Sequence, residues 1–537
     1  MQMSFLHPSS AFSKHLKQIK KSKLMTFNFK LLSSYFVVFC FLGTSLFAQA
    51  PKMGMVVDRA QYKATPYKAK LSTRSFKAMP PKVSLEQYCP TPGNQGDFGT
   101  CVAFAAAYGM RTIMWAKQYN ITNKSEIDAM QFSPSFVYEK IKNDGDTDCQ
   151  GGSNPINACE LMKQLGVPLL KSVPYDNCIP EIEFSDLLEA QDFVIADYQT
   201  LWDIDYGTED DKINNTKKAL SEGSPVLLGM IVPSSFYRPG SVWHSPETDG
   251  GPSGKHGLHA MCVVGYDDAK EGGCFRVMNS WDKDWADGGF VWIPYKEYGT
   301  YSLIGMQAYS PRVEEPEPTP EPEPTPDPEP EPTPAPDPTP LPKIETLLKG
   351  SVEFVTNTGT PMVASRVLTR NLIVEDDEPA VDKSESLVAY RMNEAYPSGT
   401  RFRFFVNTNT EAYIYAFATD LSGKINKILP FDDLMSPHIG PNSSVAFPSD
   451  TKVVKMDESK GTDYMLILYS TNKLDVADVM QKMEQAKGGL SAKMRAALGN
   501  RLIEKGDVEY NLNQIGFEVG NLQHGGVVPL MVELSHL

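Results

Sequence analysis

The sequence predicts an α+β protein: a helix-rich half, then a strand-rich half, then a proline-rich spacer and a second folded region of α+β or mainly-β type. Three observations carry this. From Cys101 to Lys117 the composition is Val, Ala, Phe, Tyr, Met and Ile, with no proline and few charges. That reads as a buried helix entered from the glycine-broken loop 94–100. Residues 224–232, 257–266, 274–279 and 289–295 are apolar runs bounded by Gly, Pro, Asp and Ser, which reads as strands. Residues 314–342 alternate Glu, Asp or Thr with Pro. Such a stretch builds no core and forms an extended spacer, on the order of 90 Å if straight at about 3.1 Å per residue.

At the N-terminus, Lys14, Lys17, Lys20, Lys21 and Lys23 precede an apolar run from Leu31 to Phe47, and Ala48-Gln49-Ala50 ends it with small residues. This predicts a secretory signal peptide over 1–50. Residues 25–50 alone make a complete signal, so Met25 is an alternative start. The competing reading is a membrane anchor, but the uninterrupted apolar run is short for a span. The mature chain is therefore expected to be exported, secreted or periplasmic or at the cell surface, without a transmembrane anchor. Residues 51–83 are basic and rich in Lys and Pro, and read as an extended lead-in.

The first folded region is 84–312. Ser133-Pro134 is a helix start signal, and a further helix runs from Ile156 to Leu165. Asp144-Gly-Asp-Thr-Asp148 suggests a calcium loop, but the closing glutamate of the twelve-residue pattern is missing, so a solvated loop is expected. Of eight Cys, Cys40 lies in the signal. Leaving Cys101 aside, Cys89, Cys149, Cys159, Cys178, Cys262 and Cys274 allow fifteen pairings. Cys262 and Cys274 sit in apparent strands, where burial is the plain alternative. No CxxC pair is present, and neither metal nor cofactor is expected.

Cys101 opens its helix, where unpartnered N–H groups and the helix dipole favour a thiolate. His259 heads an apolar strand in Gly257-Leu-His-Ala-Met-Cys-Val-Val-Gly-Tyr, and Asn279 ends another in Asn279-Ser-Trp281. Gln95 stands six residues before the cysteine. Taken singly, each has a bland reading: a buried Cys, a structural His. Together, their order and contexts resemble the papain-like cysteine peptidases. The spacings from Cys101 to His259 and Asn279 exceed the roughly 130–150 residues usual there. Phe98, Thr100 and Val102 depart from the family signature around the nucleophile, and Phe98 removes one family disulfide.

The resemblance implies a two-lobed domain, a helical lobe packed on an antiparallel barrel lobe, with the site in the cleft. It implies Cys101 as nucleophile, His259 as base, Asn279 as its orienter and Gln95 as an oxyanion donor. Trp281 would shield the His–Asn pair. Cys149-Gln-Gly-Gly152 resembles the family loop in which glycine backbone pairs with extended substrate, implying that role for Gly151 and Gly152; a plain tight turn is the alternative. His256 is a rival base without the family context. The lead-in is too short for an inhibitory domain and is not an obvious inhibitor.

Residues 344–537 form a separate region. Strands are read at 401–407, 412–418, 464–470, 516–519 and 527–534, and a helical stretch at 476–503 broken at Gly488-Gly489. Their order resembles an accessory domain of unassigned function in bacterial exported proteins, which leaves binding of a cell-surface or protein partner as its role. The net charge of −15 argues against nucleic acid. Much of it is local, since residues 313–342 hold nine acidic residues and no basic ones. The function expected is an exported cysteine endopeptidase acting on proteins or peptides. The alternatives are a non-catalytic binding protein on the same fold, or an exopeptidase or peptide ligase using the same thioester.

Overall fold

The computed structural model describes residues 52–77, 79–176, 178–312, 347–367, 387, 389–422, 424–503, 505–520 and 526–537. The predicted signal 1–50 and the linker 313–343 lie outside them. Two short helices interrupt the lead-in: α1 (Arg59–Ala64), capped by the Asp58 side chain on the Gln61 N–H, and α2 (Thr73–Lys77). A short strand β1 (Lys82–Ser84) follows.

The cysteine helix α3 runs from Cys101 to Gln118, and its middle, Phe104–Arg111, is wound as a π-helix. Every residue from Cys101 to Met114 is buried. Small residues permit this close packing. A Cβ on Gly109 would stand 3.0 Å from Met278 and 3.2 Å from Cys262. Around it lie α4 (Lys124–Ala129), α5 (Pro134–Ile141), α6 (Pro155–Gln164) and α7 (Phe184–Gln191). Ser133 caps α5 by accepting the Phe136 N–H, with Pro134 at the first turn, as its sequence predicts. Asn154 caps α6 in the same way.

The second half holds β2 (Asp197–Thr200), α8 (Glu209–Ser221), β3 (Val226–Val232), β4 (Gly257–Asp267), β5 (Cys274–Met278), β6 (Phe290–Pro294), α9 (Tyr295–Tyr301) and β7 (Ser302–Tyr309). The strands make one antiparallel sheet in the order β2-β7-β3-β4-β5-β6, with β1 on β4. Helix α3 packs against β3, β4, α5 and α6. The cysteine is thus carried by the helical half and the histidine by the sheet.

The C-terminal region is β-rich. Its elements are β8 (Leu348–Thr356), β9 (Pro361–Met362), β10 (Ala364–Arg366), β11 (Ala389–Met392), β12 (Arg401–Thr408), β13 (Ala412–Thr419), β14 (Asn426–Leu429), β15 (His438–Ile439), β16 (Ser443–Phe447), β17 (Val454–Lys455), β18 (Gly461–Ser470), α10 (Val476–Gln485), α11 (Leu490–Leu498), β19 (Glu509–Tyr510), β20 (Gly516–Val519) and β21 (Val527–His536). They form two sheets, ordered β10-β11-β21-β18-β13-β14 and β16-β12-β8-β20-β19. The first sheet is buried on both faces. Ala412, Ile414 and Ala416 of β13 join the core shared with the second sheet, while Tyr413, Tyr415 and Phe417 join the core under α10 and α11. That is the period-two alternation of a strand whose residues are apolar on both sides. Among the described residues, no helix is long and apolar enough to cross a membrane.

Candidate active site

Cys101 is the first residue of α3, and its Sγ is fully buried. Burial pushes the thiol up to about 11, against the N–H groups of Ala260, Gly54, Val102 and Cys101 itself, which pull it down. The sequence predicts a more acidic thiol from the helix terminus alone. The structure keeps that helix terminus and overrides it with desolvation. The lead-in lies against this thiol, and its Gly54 N–H donates to Sγ at 3.3 Å.

His259 is the third residue of β4, and its ring is buried. Nε2 lies 2.7 Å from Asn279 Oδ1, just beyond the end of β5. The same Oδ1 accepts the Ser280 N–H at 2.8 Å, which identifies it as the amide oxygen. Nε2 therefore carries the hydrogen, and Nδ1, which has no partner, keeps its lone pair. Burial holds this imidazole down at about 4, so it is neutral at neutral pH. Trp281 stacks on the ring at 4.6 Å between centroids and 28° between planes. Phe236, Tyr237 and Trp285 pack around the indole in turn.

Gln95 is held from several sides. Its N–H donates to Ser280 O at 2.9 Å, and its Oε1 accepts the Ser280 hydroxyl at 2.6 Å. The amide is thereby oriented with Nε2 free to donate, to Phe98 O at 2.8 Å and to Lys52 O at 3.2 Å. The Gln95 carbonyl accepts the Tyr175 hydroxyl at 2.9 Å, and that hydroxyl also meets Thr100 Oγ1 at 2.7 Å. Ser280 was legible only as part of the Asn-Ser-Trp motif, and Thr100 only as a departure from the family signature around the nucleophile. Neither role leaves a mark in the sequence.

Of the two glycines, Gly152 faces the cleft and Gly151 does not. Gly152 has φ +72°, and a Cβ there would come 2.2 Å from Gly54 O. Gly151 donates its N–H to Asp146 Oδ2 at 3.2 Å. The loop is tied by the Cys149–Cys178 disulfide. Cys89, Cys159, Cys262 and Cys274 are free and buried. Asp146 also accepts the Tyr138 hydroxyl at 2.6 Å, so its carboxylate serves this turn. Among the described residues, no group of three or more His, Cys, Asp or Glu is placed to hold a metal. His256 is engaged with Gly251 O at 2.7 Å.

What sequence reasoning could not place is how the lead-in meets the site. Residues 52–57 run through the cleft as an added strand. Ser153 N–H donates to Gly54 O at 2.8 Å, Val56 N–H to Ser153 O at 2.9 Å, and Met55 N–H to Leu258 O at 3.2 Å. The lead-in, by its length not an obvious inhibitor, thus lies against the thiol. One main-chain group of this segment, the Gly54 N–H, reaches the thiol. Gly54 between Met53 and Met55 was the one available signal, since main chain approaches this closely only where no Cβ stands.

Residues 83–311 match the family model described as papain family cysteine protease, and residues 395–473 match a domain of unknown function, DUF4384. An uncharacterized peptidase C1-like protein of Acanthamoeba polyphaga mimivirus is 28% identical over 219 residues, covering 38% of this chain and 64% of that protein. Procathepsin L of Rattus norvegicus is 24% identical over 215 residues, covering 39% and 58%. The crystal structure of xylellain, a cysteine protease from Xylella fastidiosa, aligns with a TM-score of 0.40 and 21% identity, covering 49% of this chain and 97% of that one. The chain spans between about half and two thirds of the length of these curated relatives. The segment 83–311 is a papain-family cysteine peptidase domain.

Proposed function

We propose that this chain is an exported cysteine endopeptidase that hydrolyses peptide bonds through Cys101, His259 and Asn279. One observation carries the reading: an extended stretch of peptide lies across the thiol with a main-chain carbonyl on the Gln95 amide, and continues past Cys101 on both sides. A cleft that accepts chain on both sides of its nucleophile suits internal cleavage. With the lead-in displaced, His259 Nδ1 takes the Cys101 proton and the thiolate attacks the substrate carbonyl. The Gln95 Nε2–H and the Cys101 N–H receive the oxyanion, and one such donor is worth about 3 kcal/mol. His259 then protonates the leaving amine, and water, deprotonated by the same imidazole, hydrolyses the thioester. Asn279 fixes the ring, Trp281 shields it, and Gly152 with Ser153 aligns the substrate strand; Gly151 supports that loop.

Export is supported by the basic and apolar pattern of residues 1–50 and by the Cys149–Cys178 disulfide, which suits an oxidising compartment. The filled cleft and the protonated thiol also fit a second reading, a peptide-binding protein without turnover. Active-site titration of the 51–537 protein, with residues 51–57 present or deleted, separates the two. An epoxysuccinyl adduct that Cys101→Ala abolishes, with internal cleavage of a peptide library, is the expected result. A folded protein that binds peptides and cleaves none overturns it.

A further inference from the structure

Lead-in residues 52–77 are held in two different ways. From Lys52 to Val57 the grip is five main-chain contacts to Gln95, Cys101, Ser153 and Leu258, described above, together with the Met55 side chain buried in the peptidase core. Only Gly54 and Met55 are buried there, and Val56 is 42% exposed. These are also the groups a substrate strand would use, so the segment and a substrate compete for one set of donors and acceptors.

Beyond the exposed Asp58 the segment is held by side chains buried in two cores and by main-chain bonds to both regions, none of them at the Cys101 site. Tyr62 is 2% exposed, and its hydroxyl reaches Trp202 O and Gly305 O, each at 3.2 Å. Tyr67 bridges the two regions, pairing with Thr200 on one side and Met435 on the other. Lys68 N–H donates to Thr200 O at 2.8 Å on one side, and Tyr67 N–H to Leu434 O at 2.9 Å on the other. The Lys68 ammonium is buried against Glu222 at 2.9 Å and Gln307 at 2.8 Å. Ala69 and Leu71 belong to the core of the C-terminal region. Ser72 N–H donates to Ser444 O at 2.7 Å, and Arg74 pairs with Glu353 at 2.7 Å. Withdrawing this segment exposes apolar surface in both regions and leaves the Glu222 carboxylate without one of its buried cations, a costly change.

We propose that the lead-in divides at Val57–Asp58: residues 52–57 are a plug that leaves the cleft as a unit, and residues 59–77 are a permanent staple fixing the C-terminal region to the peptidase region. Opening the site then leaves 59–77 in place and keeps the described residues 347–537 attached. This rests on the peptidase reading of the Cys101 site. It gives the C-terminal region a structural office, that of the second wall of the staple.

The test compares the 51–537 protein, its epoxysuccinyl adduct and a protein lacking 51–57, by rate of Cys101 labelling and by hydrogen exchange resolved along 52–77. Deletion is expected to speed labelling about tenfold or more, the worth of one hydrogen bond or better. In the adduct, the Met55 and Val56 amides are expected to lose protection while those of Tyr67, Lys68 and Ser72 keep theirs. Loss of protection along both segments together overturns the division, as does an adduct that leaves the 52–57 amides protected. A Tyr62→Phe, Lys68→Met protein should unfold at lower temperature with labelling unchanged; labelling as fast as in the deletion overturns the staple. Labelling without peptide cleavage sinks the peptidase reading and leaves the division standing.

Discussion

A single methyl group should open this site. A Cβ built on Gly54 stands 2.0 Å from Gly99 O and 2.4 Å from Gly99 C and Cα. All three are backbone atoms, and Gly99 is pinned by its own N–H to Cys149 O at 2.7 Å, beside the disulfide. In Gly54→Ala the plug must lift. Overpacking of this kind costs about 1–3 kcal/mol. Lifting relieves that strain at the expense of the Gly54 N–H contact with sulfur and the Ser153 N–H bond to Gly54 O, which wild type also loses on opening. Strain at the upper end of that range, near about 3 kcal/mol, raises the open population by about 100-fold. No proposed catalytic group is touched. The assay is the second-order rate of Cys101 modification by an epoxysuccinyl inhibitor, followed by intact mass, with Val56→Ala as the exposed control. Gly54→Ala is expected to react about 100-fold faster than wild type, and Val56→Ala at the wild-type rate. A Gly54→Ala protein that reacts no faster, or a wild type already as fast as the 51–57 deletion, refutes the reasoning.

Two further outcomes follow from the same contacts. Ser280→Ala removes the hydroxyl that orients the Gln95 amide; in the plug-deleted protein it should lower kcat by about tenfold with little change in KM, the loss of about one hydrogen bond in the transition state. The thiol pH profile should also shift. With the plug in place the thiol is pushed up to about 11 by burial, so about one molecule in 10,000 is thiolate at pH 7. Iodoacetamide reactivity at Cys101 should still climb above pH 9 in the 51–537 protein, and should rise at lower pH once 51–57 is deleted. Coincident profiles for the two proteins would remove burial as the cause.

What the sequence made legible depended on which atoms do the work. Cys101, His259, Asn279 and Gln95 are proposed to act through side chains set in apolar contexts; Asn279 meets His259, Ser280 bonds Gln95, and the Ala260 N–H beside His259 reaches the Cys101 thiol. Strands β13, β18 and β21 were legible because both faces are buried and both are apolar. Strand β8 was not, because Lys349, Ser351 and Glu353 alternate with its core residues and Gly350 sits under the Tyr469 ring, where a Cβ would come within 2.3 Å. Helix α8 was missed for its polar sequence, although Thr208 and Asp211 form a capping box at its start. Tyr175 and Thr100 meet across a long sequence separation, and nothing local marks the pair.

The plug works on the site twice, and the two effects have separate causes. Sterically, it places main chain where a substrate strand would lie, taking the Gln95 amide with Lys52 O and the Ser153 edge with Gly54 and Val56. Electrostatically, it lies against Cys101 in a site where burial holds the thiol high and the His259 imidazole low. Both shifts favour the neutral pair over thiolate and imidazolium. The N–H groups of Val102, Cys101 and Ala260 belong to the peptidase region and stay when the plug goes. Leaving therefore subtracts the desolvation and keeps most of the donors that favour a thiolate. The acidity predicted from the helix terminus and the raised value in the closed structure describe one thiol in two states. Gly54 decides between them because a side chain at that position meets backbone that cannot retreat.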